Sequence, residues 1–475
     1  SNWDQQVKMP PKGGPARSRS IATLQAIFQS KLTDPEIGSL LTERSEDDAL
    51  EPHQAASVRI MKRDFDRAIK VPESLVREIA ELEGTAYEVW TKARPANDFP
   101  MLEPYLTKMV DLKKQQADAI GWEGERYNAL LDEYEPWMTA TEVESMFGEL
   151  TTGLEPLVGA IVDAAGDIPS FTTRTFDAAR QEAFSQWLVK ELHFDTEGGR
   201  LDTSPHPFTA TVSAGDIRQT TRADPDNIMM SIFATMHETG HALYEQGLRT
   251  AWADLPVGKV PSLGMHESQS RLWENLVGRS RSYCNFMHTH LKRSFPDEMH
   301  DVDDETFYRG AKHPRRSLIR ITADEVTYNL HVALRFGLEL ALFRDDLQVS
   351  DLPGAWNERM EKWLGIIPPS DADGVMQDVH WSAGLFGYFP TYTIGTLYAS
   401  AFFGTAKAEL GNLDDDLARG DTSRLLAWLQ ENIYSQGYLY PAKELGQKVI
   451  GAPISAAPFL GYVKEKYGAL YGLDL

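Results

Sequence analysis

Helical periodicity is the feature that most limits the folds open to this chain. Apolar residues recur at steps of three and four over residues 74–92, 142–164, 176–192, 324–343 and 422–435. That spacing places apolar side chains on one face of a helix. Because these segments reach from near the start of the chain to near its end, the sequence predicts a mainly α-helical fold, a large helical bundle.

Strand patterns are few. The best is FTATVS over residues 208–213, which predicts a short β element near the motif helix described below. Residues 196–207 and 365–374 are rich in Pro, Gly and polar residues and predict long loops. The sequence shows no repeat and no linker. We therefore expect one large unit over residues 1–475, and a division into two lobes stays open because no boundary is readable.

The charge balance excludes one class of function. Lys and Arg total 47 and Asp and Glu total 70, a formal net charge of −23. Binding of nucleic acid needs clustered cations, so it is not expected. The chain has no apolar run long enough to span a membrane and opens without a signal-peptide pattern, so we expect a cytoplasmic protein. A single cysteine, Cys284, excludes an intrachain disulfide.

The strongest chemical motif is HETGH over residues 237–241, an H-E-x-x-H pattern. His237 and His241 are one helical turn apart, so both imidazoles can reach one metal ion. Glu238 follows the first histidine and is placed to activate a water at that ion. The alternative is an amphipathic helix with two histidines that are satisfied by internal hydrogen bonds.

The surroundings of the motif favour the metal site. Asp224 and Pro225 predict a helix start, and Gly247 predicts its end, so the motif lies in the middle of a helix. Gly240 costs a helix about 1 kcal/mol relative to Ala. Close approach of another backbone or of a ligand would explain its presence.

A third ligand is needed to complete the site. The short H-x-x-G-x-x-H extension is absent, because Tyr244 and Gly247 occupy its Gly and second His positions. Glu267 follows His237 by 30 residues, in a helix-like run that begins at residue 265. Two His, one Glu and an open position form a hydrolytic zinc site. His266 is the competing third ligand.

A hydrolase of this kind also needs donors for the oxyanion of its tetrahedral intermediate. His380, Tyr388 and Tyr392 lie on a Gly-punctuated segment, residues 377–392, that leads into a helix-like run. They are candidates for that role. Simple aromatic packing is the alternative.

These residues resemble the carboxypeptidase Taq family of metallocarboxypeptidases, nearly from end to end. Six marker segments of the family occur in order: HPF at 206–208, DIRQT at 216–220, HETGH at 237–241, HESQ at 266–269, IRITAD at 319–324 and GVMQDVHW at 374–381.

The resemblance implies a helical fold with a long central groove, a homodimer, and release of single residues from peptide C-termini. It implies one zinc ion per chain, held by His237, His241 and Glu267, with Glu238 as general base. Cobalt or manganese are possible substitutes. In the wider group of helical metallopeptidases, a His and a Tyr twelve residues later stabilise the oxyanion, which assigns that role to His380 and Tyr392.

The resemblance also suggests substrate-binding residues. The last two marker segments line one end of the family's groove, where a cation would meet the terminal carboxylate of the substrate. Arg320 is our first choice for that contact and Arg218 the second, with an internal ion pair as the alternative for either. Four further residues are expected to contact substrate: Tyr388, His206, Gln377 and Asp378.

Two other hypotheses stay open. One is an oligopeptidase or dipeptidyl carboxypeptidase with the same zinc site, which an Arg320 far from the groove would favour. The other is a non-catalytic helical scaffold that binds metal, against which Glu238 argues, since a structural site needs no base.

The chain departs from the family pattern at its N-terminus, because its W-D-x-x-x-x-M-P element already begins at Trp3. The resemblance implies a further helix before this element.

Overall fold

The structure, a computed structural model, describes residues 2–475 and confirms a mainly α-helical fold. Nine helices precede the sheet: α1 (Asn2–Val7), α2 (Gly14–Leu32), α3 (Pro35–Ser45), α4 (Pro52–Lys70), α5 (Glu73–Ala96), α6 (Phe99–Ile120), α7 (Tyr127–Leu131), α8 (Ala140–Ala165) and α9 (Ala178–Glu191).

The helices after the sheet carry the predicted metal ligands. They are α10 (Ile228–Gly247), α11 (Leu263–Arg271), α12 (Arg281–Ser294), α13 (Asp304–Ala311), α14 (Tyr328–Phe343), α15 (Leu352–Leu364), α16 (Pro390–Leu410), α17 (Leu413–Ala418), α18 (Ser423–Asn432), α19 (Ala442–Ile450) and α20 (Ala457–Tyr471). A π-helical segment, Leu272–Gly278, continues directly from α11.

A three-stranded sheet lies against the motif helix. Its strands are β1 (Gly199–Thr203), β2 (Thr209–Ser213) and β3 (Asp216–Thr221), and β3 lies between a parallel β1 and an antiparallel β2. The strand predicted at 208–213 is therefore confirmed as β2. The predicted loop at 196–207 is wrong, since it contains β1. Leu201 is the only apolar residue of β1, so pairing with β3 defines this strand and periodicity cannot reveal it.

The predicted helices begin and end within a few residues of those observed. The predicted start of the motif helix is wrong. Asn227, not Asp224, caps α10, and its side chain accepts a hydrogen bond from the N–H of Met230 at 3.2 Å. Asp224 and Pro225 lie in the preceding turn, where the carbonyl of Pro225 accepts from the N–H of Phe176 at 2.7 Å.

Buried apolar side chains form one connected cluster that reaches from Leu75 to Leu470. Within it, α11, which carries Glu267, packs against α10 and against α16. The helix α16 follows residues 377–389, which we call the aromatic loop, so both helices that carry the predicted metal ligands share their core with this helix. In the described part of the chain, no helix combines the length and apolarity needed to cross a membrane.

Candidate metal centre

The three predicted ligands converge. Nε2 of His237 and Nε2 of His241 lie 3.6 and 3.4 Å from Oε2 of Glu267, and one donor atom from each residue lies within 4.8 Å of the others. Donor atoms about 2.1 Å from a tetrahedral zinc ion lie about 3.4 Å apart. The two imidazoles and the carboxylate therefore fit a divalent metal ion.

Glycine lets the ligand helices approach closely enough. A Cβ atom on Gly240 of α10 would lie 2.6 Å from the carbonyl oxygen of Gln269 in α11. A Cβ atom on Gly395 of α16 would lie 2.7 Å from Cβ of Glu267. The α11 helix is thus packed between two glycines, which explains why a helix interior accepts Gly240.

Glu267 is held on both carboxylate oxygens. Nε of Arg271 donates to Oε1 at 2.7 Å, and the hydroxyl of Ser270 donates to Oε2 at 2.9 Å. Burial opposes ionisation of Glu267, but the neighbouring Arg271 and the imidazoles outweigh it, and the pKa of this carboxyl lies well below its ordinary value. Glu267 is therefore ionised, as a metal ligand must be.

Each of the two predicted ligand histidines has a partner at Nδ1, the ring nitrogen that does not face Glu267. Oε2 of Glu274 lies 3.0 Å from Nδ1 of His237. Behind His241, Nδ1 of the ligand meets Nδ1 of His266, whose Nε2 lies 2.9 Å from Oε1 of Glu245. Such outer partners fix the tautomer and the ring orientation of a ligand. His266, the competing ligand of the sequence, thus lies behind His241.

Glu238 points to the sheet side of the site. The hydroxyl of Thr209, the first residue of β2, donates to its Oε2 at 2.7 Å. Burial raises the pKa of Glu238 above its ordinary value. A carboxylate with a raised pKa is a better proton acceptor near neutral pH.

The aromatic loop and the start of α16 bring the predicted His and Tyr side chains together. Nε2 of His380 lies 3.3 Å from the hydroxyl oxygen of Tyr392, and the ring of Tyr388 meets that of Tyr392 edge on. Burial lowers the pKa of His380 to about 4, so its imidazole is neutral at neutral pH. Burial also raises the pKa of Tyr392 well above its ordinary value, and the charge of Glu267 adds to this. The phenol therefore keeps the proton that it would donate.

Arg320 lies beside these rings. Its guanidinium carbon is 4.9 Å from the centroid of the Tyr392 ring. The side chain is 5% exposed, and it donates to Oδ1 of Asp378 at 2.8 Å and to the hydroxyl of Tyr328 at 3.1 Å. Gln377 accepts the backbone N–H of Arg320 at 2.9 Å. Gln377 and Asp378 thus contact Arg320 within the chain.

The structure does not bring Arg218 and His206 to the metal ligands. The guanidinium of Arg218 pairs with both oxygens of Asp216 at 2.7 Å and lies 4.5 Å from the ring centroid of Trp3. His206 is exposed in the turn before β2. Arg218 clasps the N-terminal segment to the sheet, an internal contact of the kind that the sequence left open.

Sequence reasoning missed several residues of the site, among them Glu245, Glu274 and Thr209, and two of these three had a signal. Glu245 follows His241 by four residues on the same helix, and Glu274 follows Glu267 by seven, so each lies on the same helix face as a ligand. Thr209 had no signal beyond its place in a strand.

The chain matches proteins of known kind along almost its whole length. The sequence pattern of the family described as carboxypeptidase Taq (M32) metallopeptidase matches residues 2–467. Thermostable carboxypeptidase 1 of Thermus thermophilus is 43% identical, over 99% of this chain and 94% of that protein. Carboxypeptidase 1 of Bacillus subtilis is 34% identical, over 99% and 94%. The crystal structure of an M32 carboxypeptidase from Deinococcus radiodurans superposes with a TM-score of 0.96 at 40% identity, over 99% of this chain and 95% of that one.

Proposed function

This chain belongs to the carboxypeptidase Taq (M32) family of metallopeptidases, and from that premise we propose that it removes single residues from the C-termini of peptides. The observation that carries the proposal is the convergence of His237, His241 and Glu267, with Glu238 beside them. The connected core supports one catalytic unit over residues 1–475.

We propose zinc, one ion per chain, as the metal that these ligands hold, with cobalt or manganese as possible substitutes. Such an ion supplies Lewis acidity and lowers the pKa of a water molecule toward neutrality. Glu238 accepts the proton of the attacking water, and the bond from Thr209 keeps its carboxylate in place. The acceptor then returns the proton to the leaving amine.

Tyr392 and His380 stabilise the oxyanion that forms at the scissile carbonyl. The neutral imidazole and the protonated phenol both carry hydrogens to donate, and they stand 3.3 Å apart. Tyr388, in edge contact with Tyr392, extends this wall toward the substrate. Removing one such donor commonly lowers turnover by about a hundredfold to a thousandfold.

Arg320 receives the terminal carboxylate of the substrate. It uses three of the five N–H groups of an arginine in bonds to Asp378 and Tyr328. Arg335 binds the same Asp378 at 2.6 Å, so two guanidinium groups share one carboxylate and the cluster has one net positive charge. Burial lowers the pKa of the adjacent His331 to about 3. This imidazole is therefore neutral at neutral pH and adds no charge to the cluster. A substrate carboxylate balances that charge.

A peptide with a blocked N-terminus tests the reaction. Mass spectrometry over time is expected to show stepwise loss of single C-terminal residues, which a chelator abolishes. Glu238→Gln is the matched control, since it changes the proposed base and leaves the three ligands in place. Loss of residues in pairs, or internal cleavage, would refute the proposal in favour of a dipeptidyl carboxypeptidase or an oligopeptidase.

A pair of peptides that differ only in a C-terminal acid or amide tests Arg320. The amide carries no charge to balance the cluster, so we expect kcat/KM for the acid to exceed that for the amide by at least about tenfold, a typical value for one charged hydrogen bond. Arg320→Lys is expected to narrow this difference, because an ammonium lacks the paired donors. Equal rates for acid and amide would remove Arg320 from this role. The homodimer and the cytoplasmic location stay predictions.

A further inference from the structure

A second buried carboxylate, Glu339 of α14, is bound to the aromatic loop. The side chain is 0% exposed. Its Oε1 accepts the indole N–H of Trp381 at 2.8 Å, and its Oε2 accepts the backbone N–H of Gly387 at 2.9 Å and the hydroxyl of Tyr127 at 2.6 Å. All three donors are uncharged, and two of them belong to the loop between His380 and Tyr388.

The α14 helix holds this loop on both sides of His380. Arg335, one turn before Glu339 on the same face, donates to Oδ2 of Asp378 at 2.7 Å. Glu339 binds positions 381 and 387. Two fully buried side chains of one helix therefore fix the loop at residues 378, 381 and 387, while the carbonyl of His380 closes the turn between them by accepting the N–H of Leu385 at 2.9 Å.

At Gly387 the loop lies close against α7. Its φ is +87°, and a Cβ atom there would lie 2.7 Å from the carbonyl carbon of Leu130 in α7. Only glycine accepts both conditions. The backbone is thus free to bring its N–H to Glu339, and Tyr388 is the next residue.

Burying a carboxylate among neutral donors costs free energy, because the charged group loses its hydration. Burial raises the pKa of Glu339 to about 7. Apolar packing of similar volume is often as stable as a buried charged group. What this carboxylate contributes is a fixed arrangement of the chain. One planar group accepts hydrogen bonds from α7 and from both ends of the turn that follows His380.

We infer that Glu339 is a positioning residue, which sets the place of His380 and Tyr388 relative to the scissile carbonyl. The inference rests on the proposed function, because it assigns those two side chains to the substrate. Displacement of a catalytic group by about 1 Å can lower turnover by about a hundredfold. Loss of the bonds to the loop should therefore reduce kcat.

Three variants separate positioning from simple stability: two of them each remove one donor to Glu339, and the third changes Glu339 itself. Tyr127→Phe removes the bond to α7, Trp381→Phe removes a bond to the loop, and Glu339→Gln keeps the volume but turns N–H groups toward a loop donor. We expect kcat within about twofold of wild type for Tyr127→Phe. For the other two we expect a decrease of about tenfold to a hundredfold in kcat, a change in KM below about threefold, and unchanged metal content.

The decisive quantity is the ratio of kcat between Tyr127→Phe and Trp381→Phe. A ratio near one, with similar losses of thermal stability, would overturn the inference, and this pair decides even if Glu339→Gln does not fold. Failure of the proposed function would show earlier, as wild-type enzyme without chelator-sensitive C-terminal release, and would overturn both proposals.

Discussion

Replacing Gly240 by Ala tests whether the approach of two helices builds the metal site. Gly240 lies between the proposed ligands His237 and His241, where α10 meets α11. The new Cβ atom would lie 2.6 Å from the carbonyl oxygen of Gln269 and 2.7 Å from Cα of Ser270. Both are backbone atoms, so no side-chain rotation relieves the contact.

The size of the effect follows from these distances. Cβ contacts closer than 3.0 Å are essentially never seen and ordinary van der Waals contact begins at 3.4 Å, so the helices must separate by about 0.4–0.8 Å. Metal ligands tolerate about 0.2 Å of displacement. Ala gains about 1 kcal/mol in helix propensity over Gly, whereas overpacking costs about 1–3 kcal/mol. The free energy of unfolding should therefore change little or fall, while Glu267 moves away from both imidazoles.

We expect Gly240→Ala to bind zinc at least about tenfold more weakly, since changes to the partners behind the ligands alone give about tenfold to a hundredfold. Competition with a chelator of known affinity measures this, and thermal unfolding of the metal-free protein measures stability. Gly148→Ala is the matched control: Gly148 is exposed within α8, and no heavy atom lies within 4 Å of its Cβ position. It should gain up to about 1 kcal/mol in stability and keep its zinc affinity. Equal zinc affinity in the two variants would refute the reasoning.

Three further predictions concern carboxylates. Glu238→Gln should keep the metal and lose about a hundredfold or more in kcat, because an amide accepts no proton; metal analysis with steady-state kinetics checks this, and wild-type turnover would exclude Glu238 as the base. Glu274→Gln should weaken zinc binding by about tenfold to a hundredfold, because it loosens His237; unchanged chelator competition would contradict it. Burial raises the pKa of Glu135 from 4.5 to about 8. The folded state therefore holds a proton that the unfolded state releases, and stability falls as the pH rises between these values. Melting temperatures should fall more for wild type than for Glu135→Gln between about pH 5.5 and about pH 8.5, and parallel falls would contradict this.

Much of the fold was predictable because the apolar pattern of a helix can be recognised within its own segment of sequence. The apolar stripe at 324–343 needs no partner to be recognised, and α14 ends at Phe343 as expected. Strand β1 has one apolar residue and exists through its pairing with β3, so no local pattern predicts it. The start of α10 was misplaced for a related reason: Asp224 and Asn227 are both good capping residues, and only the path of the preceding chain decides between them.

At the candidate site too, some features followed from local sequence and others depended on how two helices pack. Helix geometry alone placed His237 and His241 on one face, but it could not choose between His266 and Glu267, which are neighbours in sequence. The structure places Oε2 of Glu267 3.4 Å from Nε2 of His241, whereas His266 meets the other nitrogen of the same ring. Because adjacent residues of a helix point about 100° apart, only the orientation of α11 against α10 decides which one faces the two imidazoles. That orientation depends on Gly240, which was visible in the sequence. Its contact with the backbone of α11 is visible only in the structure.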